Sequence, residues 1–208
     1  MSDKYKNNNF NIAKLIIDQR KQLKLSLREL SQLTKYSYQT LSKYETGIIE
    51  LNKTNRVTLF KHLHINAEDV DYLSNDFKQD IDLLFESIVY DEQTEISTLF
   101  TRIKKADKYL DYTKFREEFI TLKIIVSIIN NESISQEMLN ESQFNSFKLS
   151  LQQWIYDYIA IYHLKNNDLI NAVDTIVKAI SLGVHESNVG LVNYHAGIIY
   201  SVYGQLLK

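Results

Sequence analysis

Apolar positions recur at helical spacing from residue 10 to the end of the chain, and strand-like alternation is scarce. Ile12, Leu15, Ile16 and Leu23 share one face of a helix predicted over Phe10 to Lys24. Ser26 and Glu29 then have the spacing of a capping box, which opens a short helix from Leu27 to Thr34 burying Leu30 and Leu33. Ser37 is a good N-cap for a third helix, Tyr38 to Thr46, with Leu41 and Tyr44 inward. Gly47 follows where a left-handed terminating residue is due. A fourth helix, about Asn55 to His64, adds Leu59, Phe60 and Leu63, and a fifth starts near Ala67 and uses Val70 and Leu73. Two short helices joined by a three- or four-residue turn make a helix-turn-helix pattern.

Helical patterns continue over about 76–90, 94–109, 112–130 and 143–165, broken by turn clusters at 130–133 and 166–168. Antiparallel helix pairs with short connections follow. The chain has no proline, so helix stops fall to Gly, Asn, Asp and Ser. The expected fold is all-α: a five-helix head over 1–73, followed by antiparallel helical hairpins over 74–208.

The net charge of -2 conceals an asymmetry. Residues 1–65 carry 12 Lys and Arg against 5 Asp and Glu, whereas residues 66–208 carry 12 against 21. A basic head on an acidic body points to a polyanionic partner for the head alone. The absence of cysteine excludes disulfides, thiolate metal sites and cysteine nucleophiles. Residues 1–11 are polar and Asn-rich, unlike a signal peptide, and the most apolar stretch, Ile124 to Ile129, is too short to span a bilayer. A soluble cytoplasmic protein is expected. There is no zinc-type His/Glu motif, phosphate loop or dinucleotide fingerprint. His62 and His64, two apart, splay on a helix, and no carboxylates form a catalytic pair. No enzyme, metal or cofactor is expected.

The run SLRELSQLTKYSYQTLSKYETG resembles the XRE/Cro phage-repressor-like helix-turn-helix family, whose pattern stands here as Ser26, Glu29, Leu30, Ser31, Ser37, Leu41, Ser42, Glu45 and Gly47. The resemblance covers about 60 residues and implies a lambda-repressor-like head. It also implies a structural ion pair between Arg20 and Glu45. Departures are Ser31 for a small Ala, Lys35 where Gly is common in the turn, Leu27 for a polar residue and Leu51 where proline is usual. In the docking mode of the family, the third helix lies in the major groove of double-stranded DNA. Its leading residues Tyr38, Gln39 and Thr40 then meet base edges, with Ser42 and Lys43 a turn later. Gln39 suits a bidentate contact with adenine, and Lys43 can approach guanine. Arg28, Lys35, Asn52 and Lys53 are expected to grip phosphates.

The tail run QWIYDYIAIYHLKNNDLINAVDTIVKAI resembles a tetratricopeptide unit, with Ala160 at the helix crossing and Ala172, Ile176 and Ala179 as packing residues of the second helix. A second unit begins at VNYHAGIIYSVYGQLLK, with Gly197 as the counterpart of Ala160. Its partner helix would lie past Lys208, which leaves a truncated chain, a natural short form, or pairing across a dimer. A repressor-like head with such helices resembles the peptide-sensing regulators of Gram-positive bacteria, the Rgg/RNPP group. That resemblance implies a homodimer with a signalling peptide on the concave face, near Asp157, Tyr158, Tyr194 and His195. The leading expectation is a sequence-specific transcriptional regulator. The alternatives are a protein-interaction adaptor and a phage- or antitoxin-type repressor without peptide sensing.

Overall fold

The structure, a computed structural model, describes residues 10–50, 52–105, 107–184 and 188–206, with the side chain of Lys53 outside the described set. The named elements among the described residues are all helical. The chain divides into two compact units, one built on residues up to Asp80 together with Thr101–Phe115, the other on Ile81–Phe100 and the residues from Arg116 on.

The first unit holds α1 (Ile12–Gln22), α2 (Leu27–Thr34), α3 (Tyr38–Glu45), α4 (Lys53–His62) and α5 (Ala67–Asn75). Each opens on a short polar cap: Asn11, Ser26, Ser37, Asn52 and Asn66 accept from backbone N–H groups of the first turn, which otherwise lack partners. Leu15, Leu30, Leu41, Leu59, Leu63 and Val70 are buried together as the core of the head. Two predicted core positions are displaced. Leu33 is 48% exposed, and Thr34 is buried in its place. The Thr34 hydroxyl donates to the Leu30 carbonyl at 2.7 Å and accepts from Tyr36 N, so its polarity is satisfied inside. Leu23 is also displaced, 37% exposed, because α1 stops at Gln22: Lys24 turns left-handed (φ 56°) and Leu25 N closes on the Arg20 carbonyl.

A segment far along the sequence completes this unit. A 3-10 turn, Asp107–Tyr112, stands where the pattern 94–109 predicts α-helix. Asn11 N donates to the Tyr112 carbonyl at 2.7 Å, and Phe10 pairs with Thr113 in an isolated antiparallel bridge. The Asn66 N–H donates to the Tyr109 hydroxyl at 2.9 Å, and Lys108 pairs with Asp69. Asp80 accepts from both Tyr72 and Arg102 at 2.6 Å.

The second unit takes the distal part of α6 (Phe77–Val89), most of α7 (Gln93–Lys104), and α8 (Arg116–Ile129), α9 (Leu149–Lys165), α10 (Leu169–Ser181) and α11 (Val189–Leu206). The predicted helices at 112–130 and 143–165 thus start later than their apolar patterns. Phe144 and Phe147 are buried from turns, and Gln152 Nε2 donates to the Asn145 and Phe147 carbonyls, holding that stretch out of the helix. Helix α9 is buried from Leu151 to Ala160, packed by α8, α10 and α11. Ala160, Ala172, Ile176 and Ala179 are fully buried between α9 and α10, the close crossing of a tetratricopeptide-like hairpin. Helix α11 adds to α10 and α9 through Val192, Ala196 and Ile199. Gly197 differs from its expected role: it is exposed, and nothing lies within 4 Å of where its Cβ would be. Its smallness therefore serves no helix crossing among the described residues.

Candidate nucleic-acid interface

Two caps and one ion pair hold helix α3. Ser37 Oγ accepts from Thr40 N at 3.0 Å and shares a 2.8 Å hydrogen bond with the Thr40 hydroxyl. At the other end Gly47 is left-handed (φ 68°) and Ile48 N closes on the Lys43 carbonyl. Arg20 Nε and Nη2 donate to the two Glu45 carboxylate oxygens at 2.6 and 3.0 Å, and Nη1 donates to the Leu25 carbonyl at 2.8 Å. These side chains are only 14% and 10% exposed, so the bidentate pair clamps α1 to α3 away from bulk water. The hydrogen bonds that Arg20 donates to Glu45 raise the Arg20 pKa against the opposing effect of burial.

Between α2 and α3 the turn passes through Lys35 in the left-handed region (φ 60°), a conformation costing roughly 1–2 kcal/mol for a residue with a Cβ. Ser31 offsets this by donating its hydroxyl to the Tyr36 carbonyl at 2.6 Å. Serine at that position thus fastens the turn, which the small Ala of the family pattern cannot do. Sequence reasoning also missed Asn55. Its side chain accepts from the Tyr36 hydroxyl at 3.0 Å and donates to the Tyr44 hydroxyl at 3.1 Å, tying α4 to the turn and to α3. The only signal was a polar residue in the first turn of α4.

Tyr38, Gln39 and Lys43 are exposed on α3, while Thr40 and Ser42 are half-buried. Thr40 is partly committed to the cap. Arg28, Lys35 and Asn52 are exposed in the same unit. Asn52 Oδ1 accepts from Asn55 N at 2.8 Å, which leaves its Nδ2 for an outside acceptor. Lys53 heads α4, and its side chain and Leu51 lie outside the described residues.

In the second unit Tyr158, Tyr194 and His195 line one cavity of 580 Å³, and Asp157 lies fully buried behind them. Asp157 Oδ2 is 2.9 Å from His195 Nδ1. Burial raises the Asp157 pKa, opposed by the hydrogen bond and charge of His195. Five rings run in sequence along α6, α9 and α11: Phe85, Trp154, Tyr158, His195 and Tyr194, with successive centroids 5.2, 6.2, 5.6 and 5.7 Å apart. The Phe85–Trp154 end borders a second cavity of 440 Å³. Phe85, Trp154 and the cavity wall residue Lys165 escaped the sequence reading, because they come from helices whose adjacency only the fold defines.

Among the described residues no helix is long and apolar enough to cross a membrane, and no group of three or more His, Asp and Glu is placed to hold a metal. No curated protein matches the chain. It is similar to the crystal structure of Bacillus thuringiensis PlcR in complex with the peptide PapR7 and DNA, at 14% identity and a TM-score of 0.45, over 94% of this chain and 74% of that one. The family model described as helix-turn-helix matches residues 16–69. That span runs from the buried Ile16 through the capped pair α2–α3 into α5. Residues 16–69 of this chain are a helix-turn-helix domain.

Proposed function

We propose that the chain is a sequence-specific DNA-binding transcriptional regulator acting in the cytoplasm as a homodimer. The head, residues 1–73, reads double-stranded DNA, and the body, residues 74–208, senses a small peptide and contributes to dimerisation. The observation that carries the reading is α3: a short helix clamped by Arg20–Glu45 and capped at both ends, with Tyr38, Gln39 and Lys43 turned to solvent. A helix already formed and clamped enters a major groove without the cost of folding it there, and its N-terminal residues can then meet base edges. Gln39 suits adenine and Lys43 suits guanine, with Thr40 and Ser42 beside them. Arg28, Lys35, Asn52 and Lys53 bind phosphate. Peptide control is supported by the ring-lined cavity at Tyr158, Tyr194 and His195, with Asp157 fixing the histidine from behind.

Gel shifts on promoter DNA at rising salt test the DNA reading. Affinity should fall steeply and log-linearly with salt as counterions are released. Half-sites should lie about 34–36 Å apart, or a multiple of that. Gln39→Ala with Lys43→Ala should lose about 1–3 kcal/mol of discrimination per contact and keep the circular dichroism of the parent. Flat salt dependence without a preferred sequence would refute the assignment.

A further inference from the structure

The 580 Å³ cavity has apolar walls at Ile88, Ile128, Ile161 and Leu191, and its charged groups are few. Lys165 Nζ donates to the Ile128 carbonyl at 3.1 Å and to Asn131 Oδ1 at 2.9 Å. Both acceptors are neutral, so two of the three ammonium N–H groups are used and the positive charge is held at the wall without a carboxylate partner among these contacts. His195 is the second polar group. Its Nδ1 faces the fully buried Asp157 carboxylate, which fixes the ring plane and leaves Nε2 as the free edge; with Nδ1–H donating to Asp157, Nε2 donates outward when the ring carries both protons. Asp91, in the α6–α7 turn, is the acidic residue of the lining, and Gln93 Nε2 donates to it. A ligand that fits has an apolar body and a single anionic end. A second anion would meet Asp91.

We propose that this cavity captures the C-terminal carboxylate of a short apolar peptide, with the Lys165 ammonium and the Nε2–H of the doubly protonated His195 ring as the clamp and the aliphatic walls receiving the last side chains. The inference rests on the reading of the body as a peptide-sensing domain. A terminal carboxylate suits the site because its charge sits on the backbone, directly beside the side chain that the apolar wall covers. Charge-assisted hydrogen bonds of this kind are stronger than neutral ones, so an amidated peptide, unable to accept as an anion, loses most of the gain.

The test is affinity selection on the full chain with random pentapeptides of Ala, Val, Leu, Ile and Phe, prepared once as free acids and once as C-terminal amides. Free acids should be retained at least about tenfold over amides. Lys165→Met should bring the two to parity. His195→Asn, whose amide can still donate to Asp157 and keep α11 docked, should reduce the preference, with circular dichroism melts confirming the fold of both variants. Equal retention of acids and amides overturns the clamp and leaves peptide sensing standing. A preference unchanged by Lys165→Met also overturns it. Retention of neither library overturns the clamp and the sensing reading together. Displacement of the bound acids by hexanoate at equal concentration shows a free carboxylic acid to be the ligand and overturns the peptide source.

Discussion

Arg20 and Glu45 are 25 positions apart and meet through two parallel hydrogen bonds, with the remaining guanidinium nitrogen on the Leu25 carbonyl. The pair is legible in the sequence, because the repressor-like pattern names both residues. Breaking it strands a charge that is mostly out of water. Surface pairs are worth about 0–1 kcal/mol and breaking a fully buried pair costs 3–5, so with side chains 14% and 10% exposed, Glu45→Gln should cost about 2 kcal/mol in a urea denaturation series. Other residues resist the same reading. Leu33 has the spacing of a core residue, yet Thr34 takes the interior, since a threonine bonded back to its own helix carries no unmet polar group. Periodicity ranks positions by hydrophobicity and does not register a hydroxyl that satisfies itself.

At the scale of elements, starts are easier to read than stops. The Ser26–Glu29 box is formed in both directions, with Glu29 N donating to Ser26 Oγ at 3.2 Å and Ser26 N donating to Glu29 Oε2 at 2.7 Å. The backbone hydrogen bond from Ser26 lowers the Glu29 pKa below its ordinary 4.5. A carboxylate with a lowered folded-state pKa contributes stability that is present above the unfolded value and lost as pH falls through the folded one. Glu29→Ala should therefore lower the melting temperature at neutral pH, and the gap to the parent should narrow as the solution is acidified below 4.5, followed by circular dichroism. The stops use the left-handed closure, at Asn131 and Asn167 inside the turn clusters of the sequence but also at residues it does not advertise. Besides Gly47, it is adopted by Lys24, His64, Asp91, Asn131 and Asn167. In each case the following N–H reaches five residues back, as from Ile65 to Phe60 or Glu132 to Ser127. Asn and Asp accept that conformation readily. Lys24 adopts it two residues after Gln22, and the first helix therefore ends earlier than its apolar pattern.

On the scale of the whole molecule, the head is discontinuous in sequence. Residues 101–115 belong to the same compact unit as the helix-turn-helix and supply a partner for the Asn66 N–H, for Asp69, for Asp80 and for the backbone at Phe10 and Asn11. A fragment of residues 1–80 lacks all of them. Each lost hydrogen bond is worth about 0.5–1.5 kcal/mol, so with several gone α5 amides in that fragment should exchange with solvent at least about tenfold faster than in the full chain. Equal protection would show the return segment to be dispensable. What the sequence determined by itself was local: the all-α class, the capped helix starts, the turn between α2 and α3 and the candidate base-reading face, because each depends on residues within a few positions of one another. Only the tertiary structure decided which distant groups meet: the 101–115 segment on the head, the Tyr36–Asn55–Tyr44 tie, and the cavity where Lys165 and His195 share a wall. The hydrogen bonds among those contacts join residues from 11 to 101 positions apart, and their formation depends on how helices pack, a property of the whole chain that no local pattern encodes.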